Sequence, residues 1–203
     1  MRHVIARLLS VLSAIALASG CGGAQQTSST TTPPVAAIPL QDAPSAPETL
    51  LVESDDFEPN GALAMQQVFA GFGCTGENRS PSLRWSGAPE GTRSYAIVVH
   101  DPDAPTGVGF FHWVVVDLPA SATSIESGAA LPEGARALHT DFGGPGYGGP
   151  CPPPGPAHRY VFSVYALDVD HLELPDGATG ALVRFAIAPH VLSYGRLVGT
   201  FAR

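Results

Sequence analysis

The sequence predicts an all-β sandwich with long connections, and two observations carry that expectation. Short runs rich in Val, Ile, Phe and Tyr recur between breaks of Gly, Pro and Asn, and no helical run alternates with them as a βαβ fold would require. Leu51–Glu53 and residues 82–85 are the weaker strand candidates; 94–100, 112–118 and 159–167 have the β-branched and aromatic content of buried or half-buried strands. One segment breaks the pattern: in 179–188, Leu182, Val183, Phe185 and Ala186 surround Arg184 and fit a short helix stopped by Pro189. A helix that late in a β-rich chain is expected at an edge or end of the sheet. Residues 197–201 are expected to return as a strand, and no internal repeat is visible.

The compartment follows from the first residues. Arg2 and Arg7 precede an apolar stretch over 8–18 and the small residues Ser19 and Gly20, the pattern of an export signal. No later run reaches the length of about 18 apolar residues that a membrane-spanning helix needs. Cys21 after Ala18-Ser19-Gly20 resembles the bacterial lipobox, with Leu17 one place early; the resemblance implies acylation of Cys21 and attachment without a spanning helix. Gly22 in place of an aspartate points to an outer membrane, facing the periplasm, in a host that has one. The expected organisation is a signal over 1–20, a flexible tether rich in Ser, Thr, Ala and Pro over 21–47, and a folded domain over 48–203.

About 155 residues are enough to bury roughly two thirds of the unfolded surface as one domain without a stabilising metal. The net charge is -8 and there is no lysine, which argues against nucleic acid as a partner because that would require a basic face. With Cys21 acylated, Cys74 and Cys151 remain as an even pair in an oxidising compartment, and a disulfide between them is expected.

Chemistry concentrates in two segments that each end where a strand begins. Asp101 and Asp103 alternate in the stretch 101–105, which Pro102 and Pro105 stiffen, and His112 opens the next strand beside Trp113. His158 opens the strand after the Gly- and Pro-rich loop 143–155. A carboxylate near an imidazole fixes its tautomer and raises its affinity for a proton. Two histidines and two aspartates can bind an anion, hold a metal or act as acid and base, and spacing alone does not choose. The glycines of 143–150 favour an anion, since backbone N–H groups there suit an anion cradle. The loop lacks a Walker ending, its prolines disfavour a dinucleotide fingerprint, and no Gly-x-Ser-x-Gly, His-Glu-x-x-His or Cys-x-x-Cys is present. No serine is marked as an activated nucleophile, so the chain is expected not to be an enzyme and to need no cofactor.

With these residues in view, the chain resembles the phosphatidylethanolamine-binding protein family in its bacterial branch. The resemblance rests on NRSP (78–81) ahead of LRW (83–85), on DPDAP (101–105), HWVVVDLP (112–119) and TDFG (140–143), and on GYGGPCPPPG (146–155) before HRYVFSVYALD (158–168). It implies a large antiparallel sheet packed on a smaller one, with a few peripheral helices. It also implies an anion pocket of Asp101, Asp103, His112 and His158, with Tyr147, Gly149 and Pro150 in its wall. The ligands so implied are phosphate, phosphorylethanolamine or a phospholipid headgroup. Inhibition of an exported hydrolase, by docking of the pocket rim on a protein partner, is the second expectation, and metal-assisted hydrolysis by the His/Asp set is the third.

Overall fold

A computed structural model describes residues 44–203. The export signal, Cys21 and the tether up to residue 43 lie outside the described residues. Eight strands form in chain order: β1 Leu51–Glu53, β2 Leu83–Ser86, β3 Ser94–Asp101, β4 Phe110–Pro119, β5 Ser124–Ile125, β6 Arg136–Ala137, β7 His158–Leu167 and β8 Val191–Phe201. They pair antiparallel throughout as a five-stranded sheet in the order β6-β4-β3-β7-β8 and a three-stranded sheet in the order β1-β2-β5. The predicted large-on-small β-sandwich is the observed architecture.

All eight residues of β3 are buried, which explains why this strand reads as an unbroken apolar run: both faces of its sheet are covered. On one face Ile97, Val99, Val115, Phe162 and Val164 meet Val52, Leu83 and Trp85 of the smaller sheet. On the other, Ala96, Val98, Val114 and Tyr165 pack with Val183 and Ile187 of the one α-helix among the described residues, α1 Gly180–Ile187. Each such aliphatic side chain, once fully buried, contributes about 1.5–3 kcal/mol.

The helix is where expected but does a different job. Thr179 caps it by accepting from the Leu182 N–H, and Pro189 falls in the 3-10 turn Ala188–His190 that follows. Instead of closing an edge or an end, α1 covers the open face of the large sheet, because Val183 and Ile187, four residues apart, form one apolar stripe facing it.

The last strand is longer than expected, beginning at Val191. Gly195 and Gly199 obscure its alternation, and contact explains the first: a Cβ on Gly195 would lie 2.2 Å from the carbonyl oxygen of Leu50, where the entering chain crosses β8. Gly195→Ala is therefore expected to lower stability by about 1–3 kcal/mol in urea denaturation. A change below about 0.5 kcal/mol would show that the crossing gives way easily.

Candidate functional site

Antiparallel pairing brings the two sequence segments together. The β3–β7 register runs to His100 opposite Val161, so β3 delivers Asp101 where β7 begins with His158. Asp101 is 3% exposed; its Oδ2 accepts from His158 Nδ1 at 2.7 Å and its Oδ1 from the Asp103 N–H at 2.8 Å. A carboxylate only accepts, so the Nδ1 proton faces Asp101 and Nε2 is the ring nitrogen left for a ligand.

His112 arrives by a different device. Val99 pairs with Trp113 and His100 with Phe111, which leaves His112 as an extra residue on β4, a β-bulge of the kind that re-aims a side chain beside a site. The bulge directs it toward Tyr160, with ring centroids 5.1 Å apart. Its Nδ1 donates to the Gly148 carbonyl at 2.7 Å, while the Gly148 N–H returns a bond to the His112 carbonyl at 2.8 Å. Burial pushes the His112 pKa below the usual imidazole range despite opposing help from Gly148 and the Asp101 charge. The neutral ring thus carries its proton on Nδ1 and offers a lone pair at Nε2.

Asp101, His112 and His158 line one cavity of about 140 Å³, together with Tyr160 and an apolar rim that includes Phe72, Phe110, Phe142 and Pro152. Phe142 meets His112 and Phe110 edge-on at centroid distances of 5.4 and 5.0 Å. The site is a polar floor under aromatic walls.

The other expected members stand behind that wall. Arg159 holds Asp103 through its backbone N–H at 2.9 Å, Nε at 2.8 Å and Nη2 at 2.7 Å. This paired contact keeps the Asp103 carboxyl below its usual range, and Asp103 braces the Asp101 turn without lining the cavity. Tyr147 donates its hydroxyl to the Gln67 carbonyl at 3.1 Å and packs edge-on against Trp113. The Gly149 N–H goes to Asn78 Oδ1 at 2.7 Å, Asn78 Nδ2 goes to the Tyr147 carbonyl at 3.0 Å, and the Pro150 carbonyl accepts from the Phe69 N–H at 3.0 Å. A Cβ on Gly149 would lie 1.9 Å from the Gln67 carbonyl oxygen, so only glycine lets the loop pack this closely. The N–H groups of Gly148 and Gly149 thus hold the scaffold, and the loop shapes a wall in place of the expected cradle. Cys74 and Cys151 form a disulfide, and Cys151 lines the cavity.

Tyr160 is the residue that sequence reasoning missed. Its hydroxyl is buried without a hydrogen-bond partner among the described residues, and burial, aided by the Asp101 charge, raises its pKa so that it stays a proton donor. The signal was available: Tyr160 lies two residues after His158 on the same strand and so shares its face. Among the described residues no three His, Cys, Asp or Glu side chains are grouped closely enough to hold a metal ion.

Two packed antiparallel sheets with an Asp–His pair, a bulged histidine and a lone tyrosine hydroxyl in one cavity define a β-sandwich with a small polar pocket at a sheet end. The chain belongs to the phosphatidylethanolamine-binding protein family, whose model matches residues 53–202. The chain is similar to UPF0098 protein YbhB of Escherichia coli, 42% identical over 154 residues that cover 73% of this chain and 98% of that one. The crystal structure of Escherichia coli YbcL, described as a member of the mammalian PEBP family, superposes with a TM-score of 0.74 at 40% identity, covering 76% of this chain and 99% of that one. Similarity to the "Putative lipoprotein LppC" of Mycobacterium tuberculosis is 38% over 194 residues, 94% of this chain and 92% of that one.

Proposed function

We propose that this protein is a lipid-anchored extracytoplasmic binding protein that holds a phosphate monoester or phospholipid headgroup in the Asp101–His112–His158–Tyr160 cavity. The carrying observation is the Tyr160 hydroxyl, a buried protonated donor without a protein partner among the described residues, which a phosphoryl oxygen in the cavity would satisfy. His158, with its Nδ1 proton held by Asp101, turns Nε2 toward a phosphoryl oxygen and donates there when that nitrogen carries a proton, the Asp101 carboxylate balancing the charge. His112 either takes up a proton and donates, or accepts from a P–OH group.

Binding without turnover fits the lining. Of its two hydroxyls, that of Thr106 already donates to the Gly109 carbonyl and that of Tyr160 is kept protonated by burial, and its one sulfur lies in the disulfide, so none stands as a nucleophile. The export signal, Cys21 and the likeness to LppC support a membrane anchor, and Gly22 supports placement on the periplasmic side of an outer membrane.

Calorimetric titration of the full chain with phosphorylethanolamine and inorganic phosphate tests the reading, with Tyr160→Phe beside the wild type. One hydrogen bond to a charged group is worth about 1.5–3 kcal/mol, so the variant is expected to bind at least about tenfold more weakly. It should also be no less stable, because an unpaired buried hydroxyl has been removed. Unchanged affinity, or a loss of stability above about 1 kcal/mol, would give Tyr160 a structural role and sink the proposal.

A further inference from the structure

We infer that the Cys74–Cys151 disulfide controls the closure of this pocket, by holding Phe72 as a cover over its mouth, so that ligand affinity depends on the redox state of the bond. The inference rests on the anion-binding reading above and adds a regulation to it.

Phe72 is an unusual cover. The residue is 71% exposed and its backbone sits at φ 54°, a left-handed conformation that residues other than Gly and Asn seldom adopt. An exposed aromatic in an unfavourable conformation must be held there by its neighbours. On one side it stacks on Phe142, with centroids 5.8 Å apart and planes 11° from parallel, and Phe142 in turn touches His112. On the other its carbonyl accepts from Arg203 Nη1 at 3.1 Å. Two residues later Cys74 ties the turn covalently to Cys151, which lines the cavity with Pro152 and Pro153. The bond thus adds a covalent tie at the rim itself between two parts of the chain, 77 residues apart in sequence, whose bases are joined by the hydrogen bonds between 67–78 and 147–150.

The same turn favours exchange. Arg203 Nη1 lies 3.7 Å from Cys74 Sγ and 3.6 Å from Cys151 Sγ. A guanidinium at that position stabilises a departing thiolate and so speeds attack by an external thiol. A dithiol reductant would attack one sulfur to give a mixed disulfide, and its second thiol would then resolve it. The products are two protein thiols and the oxidised reductant, with two electrons and two protons transferred to the protein. Freed of the bond, the turn can relax Phe72 out of its left-handed conformation and open the mouth to water.

Coupling between the bond and the ligand is reciprocal. Phosphorylethanolamine is expected to bind the full chain about tenfold more weakly after reduction by a dithiol. By linkage, saturating phosphorylethanolamine should make the disulfide harder to reduce by about 30 mV, the equivalent of that factor for a two-electron couple. Phe72→Ala in the oxidised protein should bind as weakly as the reduced wild type, and its affinity should not change further on reduction. Equal affinity of the oxidised and reduced wild type would overturn the inference while leaving the pocket reading intact. A Phe72→Ala variant that loses further affinity on reduction would also overturn it, because the bond would then act through folding and not through the cover. No binding by the oxidised wild type would overturn the pocket reading and this inference with it.

Discussion

Affinity for phosphorylethanolamine is expected to fall at least about a hundredfold between pH 6.5 and pH 8.5. Above its second pKa of about 6 the free ligand is a dianion. The free protein holds His112 neutral, its pKa lowered chiefly by burial and its Nε2 bare. Two lone pairs cannot face each other in a dry cavity, so the complex must hold at least one proton more than its separated parts. That proton sits on His112 Nε2 or on the phosphate. The sign follows: binding that takes up a proton weakens as pH rises, tenfold per unit for each proton, and levels off below about pH 6, where the ligand already carries it. In His112→Asn, whose side chain does not titrate, the slope should fall by one proton per complex. Calorimetry in two buffers of different ionisation enthalpy counts the protons directly. A wild-type affinity that is flat across this range would refute the arrangement.

Removing His158 should have an effect of similar size and a second consequence for the fold. His158→Ala deletes the donor paired with Asp101 and is expected to weaken phosphorylethanolamine binding about a hundredfold, the upper end for one charge-assisted contact. It also leaves a 3% exposed carboxylate without its ring partner, and breaking a buried pair by removing one member costs about 3–5 kcal/mol. The Asp101→Ala, His158→Ala double variant should recover part of that stability, because no charge is left stranded, and none of the affinity. Urea denaturation and calorimetry on the three variants form the double-mutant cycle. If both single variants keep wild-type stability and affinity, the pair neither supports the sheet end nor touches the ligand.

Much of the fold was legible because its central strands are covered on both faces. β3, β4 and β7 read as long apolar runs wherever their surroundings place them. The short strands β5 and β6, two residues each, carry no period to detect. The first half of β8 was hidden by a glycine whose value depends on a carbonyl 145 positions earlier in the chain, at Leu50 against Gly195. Asp101, Asp103, His112 and His158 could be grouped from the sequence because they lie at strand ends, but that Asp101 is the partner of His158 came only from the structure. The resemblance placed Tyr147, Gly149 and Pro150 in the pocket wall beside Asp103; Asp103 is held by Arg159 and the others by 67–78. Which face of a wall a side chain occupies is settled by partners that local pattern does not contain.

By itself, then, the sequence determined a β-sandwich and the disulfide partners, because strand period and cysteine parity are properties of the chain taken locally or in count, and the resemblance of its motifs implied the family, the large-on-small arrangement and a His/Asp pocket. The tertiary structure alone decided the rest. A register shift of one residue at His112 turned an imidazole into the cavity, and antiparallel pairing set an unpartnered tyrosine hydroxyl beside it. The disulfide ties the turn that carries Phe72 to Cys151, and both Phe72 and Cys151 line the cavity. Each is a relation between residues far apart in sequence, created only when burial of both sheet faces closes the sandwich.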